Sequence, residues 1–429
     1  MIENEKAILA NSLWSDSSNE TLPVECLLST ERVDIAVIGG GYSGVSTALH
    51  CADYGLDVCL IEKETIGWGA SGRNGGQVIP GLKELPKTIF SRFGLEMGKK
   101  IVNLAGNAPD YVFKLIRENE IDCGAAQNGW INASWGKRGL MSNENVFRQW
   151  FSQNAPVELL SGREVCSLIG SDTYSGGVVD FRGGKLHPLN YILGLGKTAQ
   201  KKGVKIYQKS PVLRIDRYNG LNRIHCRGGL IMADRVVLAT NGYGQRDTGT
   251  ANKNVIAVQS VQVASSPLSD NVLKTILPQG HVVSDTRRLL NYFRIANDGR
   301  LLMGGRGGST NASTLKQIKE LKVLARAIFP QIGGIDFKHV WGGNVALTLD
   351  HFPQICMLEN DIISLSGYNG RGVALATALG KVVADFLKGV ASEELEFPIT
   401  SLTAIPFPKF QQAVIPAVAW YKRILDRID

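Results

Sequence analysis

The stretch Val33 to Glu62, VDIAVIGGGYSGVSTALHCADYGLDVCLIE, decides the fold. VDIAVIGG is a short apolar run that breaks on glycine and reads as a buried strand. YSGVSTALHCADYG has the length and spacing of a helix ended by Gly55, and LDVCLIE reads as a second strand. Strand, helix and strand in succession form a βαβ unit and therefore a parallel sheet. Gly39, Gly41 and Gly44 stand in G-x-G-x-x-G spacing directly between strand and helix. The first glycine permits the turn, the second lets a pyrophosphate approach, and the third lets helix and strand close up. Glu62, at the end of the second strand, is placed to accept hydrogen bonds from a ribose 2′-hydroxyl; it would repel a 2′-phosphate, which disfavours NADP.

This unit alone suits NAD as well as FAD, and two further stretches favour FAD. GWGASGRNGG, Gly67 to Gly76, follows the second strand almost at once, and no acid occurs from Thr65 to Lys83. We expect its glycines to be clearance for an extended flavin dinucleotide. SLSGYNGRGVALATALGKVVADFL is a strand, a glycine turn and a helix from about Val373 that is apolar nearly all round. No acid lies between Asp361 and Asp385, and Arg371 adds positive charge where the helix dipole is already positive. An anion from outside the chain, such as the charge on a reduced flavin at N1 and the C2 carbonyl, resolves that conflict; a bond from Arg371 to a nearby carbonyl is the plainer reading of the side chain.

The chain has 429 residues, 44% of them hydrophobic and 20% charged, with 48 glycines as its one excess. The expected class is α/β: a Rossmann-like FAD-binding domain with a parallel sheet, interleaved with a sheet-rich (α+β) substrate domain. Residues 1–30 read as an N-terminal arm. Residues 31–118, 156–250 and 342–395 read as the FAD-binding domain, 119–155 and 251–341 as the substrate domain, and 396–429 as a tail docking on the body. The net charge of +8 is spread without basic runs interleaved with aromatics, so no nucleic-acid partner is expected. Seven cysteines without C-x-x-C spacing and no leader-like N-terminus suggest a cytoplasmic protein. The tail, FQQAVIPAVAWYKRILDRID, is amphipathic; docking is favoured over peripheral membrane contact. Histidine and cysteine spacings offer no metal site, and no G-x-S-x-G marks a hydrolase. Cys51 and Cys59 read as core residues.

Seven blocks, GGGYSGVSTALH, GWGASGRNGGQV, VDFRGGKLHPLNY, VVLATNGY, NDGRLLMGG, WGGNVALTLDHFPQI and GYNGRGVALAT, resemble in order those of the D-amino acid oxidase-like flavoproteins, which include glycine oxidase and sarcosine oxidase. SGRNGGQ and the FP-rich tail are most similar to the branch of γ-glutamylputrescine oxidase and bacterial L-pipecolate oxidase. The resemblance implies FAD contacts from Gly39, Gly41, Tyr42, Ser43 and Gly44, and from Glu62 and Lys63. It implies further contacts along the glycine-rich loop, from Gly69, Ala70, Ser71, Arg73, Asn74, Gly75, Gly76 and Gln77. Val212, Thr240, Asn241 and Gly242 complete the nucleotide side, and Trp341, Gly367, Asn369, Gly370, Arg371, Gly372 and Val373 the ring side. Many relatives have histidine where this chain has Arg371, so that histidine's role does not transfer. Sarcosine oxidases attach flavin through a cysteine near the block matched by WGGNVALTLD, which has none here; dissociable FAD is expected.

The implied reaction is FAD-dependent oxidation of an amine or amino or imino acid, by hydride transfer to flavin N5 from carbon next to a neutral nitrogen. The imine formed would hydrolyse to an aldehyde or oxo acid, with oxygen or another acceptor taking the electrons. The strand NYFRI puts Tyr292 and Arg294 on one face, either toward solvent or lining the pocket; the family match favours the pocket, with Arg294 pairing a substrate carboxylate. Trp341 is either an aromatic wall beside the ring or a core residue packed over glycines. Arg73 reaches flavin or substrate, or ties its loop down. The catalytic set is then Arg294, Tyr292, Trp341 and Arg371, with His351 and Asn344 as weaker candidates. The competing classes are an NAD-dependent dehydrogenase and a flavoprotein subunit without catalysis.

Overall fold

The computed structural model describes residues 12–244, 253–308, 311–359, 361–405 and 425–426. The strand Thr30–Ile38 lies at the middle of a nine-stranded sheet, parallel to Val58–Ile61 on one side and to Leu230–Leu238 on the other. Lys205–Tyr207 and Ile362–Ser366 extend it in parallel at the two flanks. Their side chains are buried on both faces, as a sheet covered by helices requires. Beyond Ile362–Ser366 the sheet turns mixed: Gln354–Met357 runs antiparallel, and Ile399–Ser401 pairs parallel to it.

Two helices cover one face. Tyr42–Asp53 follows the first glycine turn and Gly372–Lys388 follows the last, and they pack directly on each other. Gly380 makes this possible: a Cβ there would stand 2.8 Å from the Ser43 carbonyl oxygen and 2.7 Å from the Ser46 Cβ. The Ser46 hydroxyl donates to the Thr377 carbonyl at 2.7 Å, and the Thr47 hydroxyl to the Gly380 carbonyl at 3.2 Å. These contacts bring both helix starts to the carboxyl ends of the parallel strands, where α/β sheets bind ligands.

The second sheet has eight strands, in the order His339–Leu347, Ile256–Pro267, Arg300–Arg306, Tyr292–Ile295, Val282–Asp285, Trp130–Ala133, Gly176–Asp180 and Val157–Ser161. Alternate residues of its strands, Val261, Val263, Phe293 and Met303 among them, build a separate apolar core on its far face. The two-sheet α/β architecture is the expected one, with shifted borders. Val157–Ser161 and Gly176–Asp180 belong to the second sheet, whereas the sequence places residues from 156 onward in the FAD-binding region. Their short apolar runs carry no period that distinguishes one sheet from the other. His339–Leu347 also crosses the border expected at 341, and Ile399–Ser401, expected in the tail, joins the first sheet. The amphipathic tail segment lies almost wholly outside the described residues, as do residues 1–11. Asp426 is described: its carboxylate accepts from the backbone N–H groups of Arg288 at 2.8 Å and Leu289 at 3.0 Å. No helix of the described residues is long and apolar enough to cross a membrane.

The expected N-terminal arm is firmly packed over its described part. Leu13–Ser17 is a helical turn capped by Ser12, and Leu13 and Trp14 are buried. The Trp14 indole donates to the Asn74 carbonyl at 2.8 Å and lies edge-on to His187 and Trp341, with ring centroids 4.9 Å and 5.9 Å away. Two apolar residues among serines are too few to show a period. His187 caps the helix Pro188–Lys201, its Nδ1 accepting from the Asn190 N–H at 3.1 Å, and Nε2 lies 3.1 Å from the Ser17 hydroxyl.

Two outcomes follow from this packing. A Cβ at Gly44 would stand 1.9 Å from the Gly39 carbonyl oxygen, whereas at Gly334 it would meet nothing within 4 Å. Gly44→Ala is therefore expected to lose at least the ~1–3 kcal/mol typical of overpacking, and Gly334→Ala to stay within ~0.5 kcal/mol of wild type, both read from urea denaturation. Burial, reinforced by the Arg294 charge, lowers the His187 pKa from 6.5 to about 4. The folded state thus prefers the neutral ring, and stability falls as pH drops from about 6.5 to about 4. His187→Asn keeps a capping oxygen and removes the titration, so the wild-type minus variant stability should decline across that window and be flat above it.

Candidate active site

The first glycine turn has the geometry its spacing suggests. Gly39 takes φ +115°, and Gly44 closes against its carbonyl. Among the described residues a Cβ on Gly41 would meet only Ser71, at 3.0 Å, so the turn is open to them beyond that contact. Glu62 accepts from the Gly40 N–H at 2.6 Å and the Glu64 N–H at 2.8 Å, while burial pushes its carboxyl above the ordinary value. The Tyr42 N–H donates to the Ser71 hydroxyl at 2.9 Å, and the Tyr42 hydroxyl to the Pro188 carbonyl at 3.1 Å. Ser43 is buried one residue along, and Lys63 is exposed beside Glu62.

The loop from Gly67 to Gln77 corrects one expectation. Its glycines are clearance for protein: a Cβ would meet Ile192 at Gly67, Tyr243 at Gly69, Gly67's own carbonyl at Gly72, Tyr292 at Gly75, and the Leu186 carbonyl at Gly76. Side-chain-poor backbone is needed because the second sheet and its neighbours close directly onto it. The 3-10 turn Ala70–Gly72 leads into Arg73, which is 5% exposed. Arg73 Nε donates to the Trp68 carbonyl at 2.8 Å and Nη1 to the Gly342 carbonyl at 3.2 Å, with the guanidinium over the Trp68 ring. These bonds tie the loop down. The Arg73 carbonyl accepts from Gln262 Nε2 at 2.5 Å and Trp341 Nε1 at 2.9 Å. Asn74 caps its own turn, its Oδ1 accepting from the Gly76 N–H at 2.8 Å. Gln77 Nε2 reaches the carbonyls of Val283 at 3.0 Å and Phe293 at 3.1 Å.

The third turn is built differently. Asn241, at φ +42°, accepts from the Gly367 N–H at 3.0 Å and so joins Thr240–Gly242 to the turn. Asn369, at φ +52°, accepts from the Thr348 N–H at 3.0 Å and donates to the Gly367 carbonyl at 2.6 Å. Gly370 takes φ +87° with nothing among the described residues within 4 Å of an added Cβ, and Gly372 and Val373 open the helix. Neither Gly41 nor Arg371 caps its helix with a side chain. Among the described residues the Thr240 hydroxyl and the Tyr368 hydroxyl are buried without a hydrogen-bond partner, each just beyond the carboxyl end of a parallel strand. Two uncapped helix starts, two open glycines and two orphaned hydroxyls fit a phosphate-bearing dinucleotide such as FAD. Val212 stands apart, half-buried at the start of the hairpin strand Val212–Tyr218 and packed on the outer core.

The face carrying Tyr292 and Arg294 points inward onto the loop, which removes the solvent alternative. The Tyr292 ring lies against Gly75 and Gly304, its hydroxyl is 3.1 Å from the Ser260 hydroxyl, and burial pushes its pKa up to about 12. Arg294 is 2% exposed; Nε donates to the Gly75 carbonyl at 2.6 Å and Nη2 to the Leu186 carbonyl at 2.8 Å. Burial, weakly opposed by Asp298, lowers its pKa to about 9. The side-on edge of this guanidinium is thus engaged by backbone. Trp341 is 3% exposed and holds the loop through its N–H, the core alternative of its two readings. Arg371 turns away from its helix toward Trp130 and Pro80. His351 faces Glu84 at the surface, and the Asn344 N–H donates to the Tyr243 hydroxyl at 2.8 Å. Trp14, Gln262 and Tyr243 were missed. Gln262 alternates with Val261 and Val263, a signal of an inward polar face that gave no hint of the loop it grips. Among the described residues no His, Cys, Asp or Glu group suits a metal ion. Cys51 and Cys59 are buried, as core residues are.

Comparisons with known proteins agree with this geometry. The family model described as DAO, FAD dependent oxidoreductase, matches residues 34–386. The chain is 29% identical over 425 residues to the gamma-glutamylputrescine oxidoreductase of Escherichia coli K12, covering 97% of this chain and 98% of that protein. It is 31% identical over 426 residues to a probable oxidoreductase, OrdL, of Rhizobium meliloti, covering 95% and 96%. Its fold is similar to that of glycine oxidase from Geobacillus kaustophilus, with TM-score 0.70, 20% identity and coverage of 83% and 95%. L-proline dehydrogenase from P. horikoshii is alike in fold to the same degree, with TM-score 0.70, 21% identity and coverage of 86% and 96%. The glycine turns, the inward polar sheet face and the match over residues 34–386 together place the chain in the DAO family of FAD-dependent oxidoreductases.

Proposed function

We propose that the protein oxidises an amine or an amino or imino acid, of γ-glutamylputrescine or pipecolate type, with dissociable FAD. The observation that carries this reading is the end-to-end similarity to the gamma-glutamylputrescine oxidoreductase, joined to an inner sheet face that brings polar side chains to the cofactor loop. FAD, when bound, supplies the acceptor for the hydride lost from carbon next to nitrogen. Gly41, Ser71, Thr240 and the two helix starts would hold its phosphates and ribose, and the loop Arg73–Gln77 its ring.

What the chain itself does is position and select. Gln262, Trp341, Trp14 and Arg294 fix successive carbonyls of the loop, so the surface offered to the ring is set before substrate arrives. The inward face offers hydroxyls and an amide from Ser260, Gln262, Ser284 and Tyr292, and the high pKa keeps Tyr292 protonated. The amine is then oxidised in its neutral form, with its lone pair assisting departure of the hydrogen. Arg294 acts here as a positioning residue.

Acid precipitation should release the yellow cofactor into the supernatant, leaving the pellet colourless; colour retained on protein would contradict dissociable FAD. Anaerobic addition of γ-glutamylputrescine or L-pipecolate should bleach the flavin, and peroxide after air is readmitted would identify oxygen as acceptor. Bound FAD that no amine bleaches would sink the reading, as would a preparation that binds NAD and takes up no FAD. Arg294→Ala leaves two buried carbonyls without charged donors, each worth about 1.5–3 kcal/mol. It should weaken FAD retention at least tenfold in equilibrium dialysis; unchanged retention would remove the positioning role.

A further inference from the structure

The strands Val282–Asp285 and Tyr292–Ile295 are joined by residues 286–291, and this connection is held by carboxylates from both sides. Hairpin loops of about 2–5 residues fix their own register; this one is longer and relies on side chains. From inside, Asp285 Oδ1 accepts from the Asn291 N–H at 2.9 Å and the Arg287 N–H at 3.3 Å, and Oδ2 accepts from Asn291 Nδ2 at 3.2 Å. From outside, Asp426 takes the two N–H groups at the middle of the bend. Its Oδ1 accepts from Arg288 at 2.8 Å and its Oδ2 from Leu289 at 3.0 Å.

Asp426 is itself well seated. Its side chain is 10% exposed, with Arg288 Nη1 3.3 Å and Arg138 Nη2 4.0 Å from Oδ1. Trp135 Nε1 donates to the Asp426 carbonyl at 3.3 Å. The same neighbours hold the start of the connection. Arg138 Nη2 donates to the Thr286 carbonyl at 2.8 Å, the Trp135 N–H to the Thr286 hydroxyl at 2.9 Å, and the Arg287 guanidinium lies 3.7 Å over the Trp135 ring. A carboxylate that accepts from two backbone N–H groups and faces two guanidiniums is held by charge-assisted bonds, the stronger kind.

This connection carries part of the inward face. Ser284 and Tyr292 are paired across the two strands, one residue in from Asp285 and Asn291. The Ser284 hydroxyl donates to Gln77 Oε1 at 3.3 Å, and the Tyr292 ring packs on Gly75, where an added Cβ would stand 2.8 Å from Cε2. Gly75 and Gln77 both belong to the cofactor loop. Loosening the bend at Arg288 and Leu289 frees the Ser284–Tyr292 rung first, because it lies nearest the bend, whereas Arg294 stays anchored on the Gly75 and Leu186 carbonyls. We propose that Asp426 is a positioning residue for substrate: through residues 286–291 it holds Ser284 and Tyr292 in the arrangement that substrate meets. This rests on the amine-oxidising reading above and adds a residue that the reading does not use.

The expected signature separates binding from turnover. When only a fraction of molecules holds the competent arrangement, apparent affinity falls by that fraction, while bound substrate restores the arrangement. FAD-loaded wild type, Asp426→Ala, Asp426→Asn and, as a control at an exposed ion pair with Arg32, Asp234→Asn are compared with the amine that bleaches the flavin best, rates being normalised to FAD content. Asp426→Ala should raise KM about tenfold and leave kcat within about twofold of wild type. Asp426→Asn keeps one acceptor oxygen and should raise KM less; Asp234→Asn should match wild type. Hydrogen exchange read by mass spectrometry should speed up over residues 284–293 in Asp426→Ala and stay unchanged over the first glycine turn, residues 38–45. A lowered kcat at unchanged KM, a KM equal to wild type, unchanged exchange over residues 284–293, or FAD loss in step with lost activity would overturn the proposal. If Asp426→Ala does not fold, Asp426→Asn decides it on the same readings. Should no amine bleach wild-type flavin while exchange over residues 284–293 still rises in Asp426→Ala, the amine-oxidising reading fails and the placement of the hairpin by Asp426 stands.

Discussion

Three consecutive carbonyls, those of Arg73, Asn74 and Gly75, hold the two halves of the molecule together. Each is taken by a donor from a separate part of the chain: Gln262 and Trp341 for the first, Trp14 for the second, Arg294 for the third. A buried carbonyl left without a donor costs more than a made bond contributes, so the loop has one arrangement in which all three are satisfied. The glycines on either side let those donors reach it. Because Arg73 in turn bonds the Trp68 and Gly342 carbonyls, the loop, the first sheet and the strand His339–Leu347 become one rigid surface.

That surface meets two helix starts held side by side by Gly380. Uncapped N-termini and acid-free turns make a region of positive potential, and FAD brings the phosphates and ring that such a region accommodates. Arg294 and Arg371 are both lowered by burial, with only a remote carboxylate opposing.

The βαβ unit and the role of each glycine in Gly39, Gly41 and Gly44 were legible in the sequence, since spacing within one turn is a local property. The inward face of NYFRI was half legible: alternation separates Tyr292 and Arg294 from Phe293 but cannot say which side is solvent. The borders at 156 and 396 were misplaced because short strands such as Val157–Ser161 and Ile399–Ser401 pair with partners chosen across the fold. Trp14 was invisible as a site residue, its partner lying 60 positions away.

The sequence by itself therefore determined the parallel sheet, the dinucleotide turn and the acid-free character of the regions around the cofactor, because each depends on residues within a few positions of one another. Tertiary structure alone decided what the glycines of Gly67–Gly76 make room for and which carbonyls each arginine reaches. Arg294 and Arg371 are chemically identical side chains; only the backbone carbonyls brought beside them by distant strands and loops tie the first to Gly75 and Leu186 and the second to Pro80.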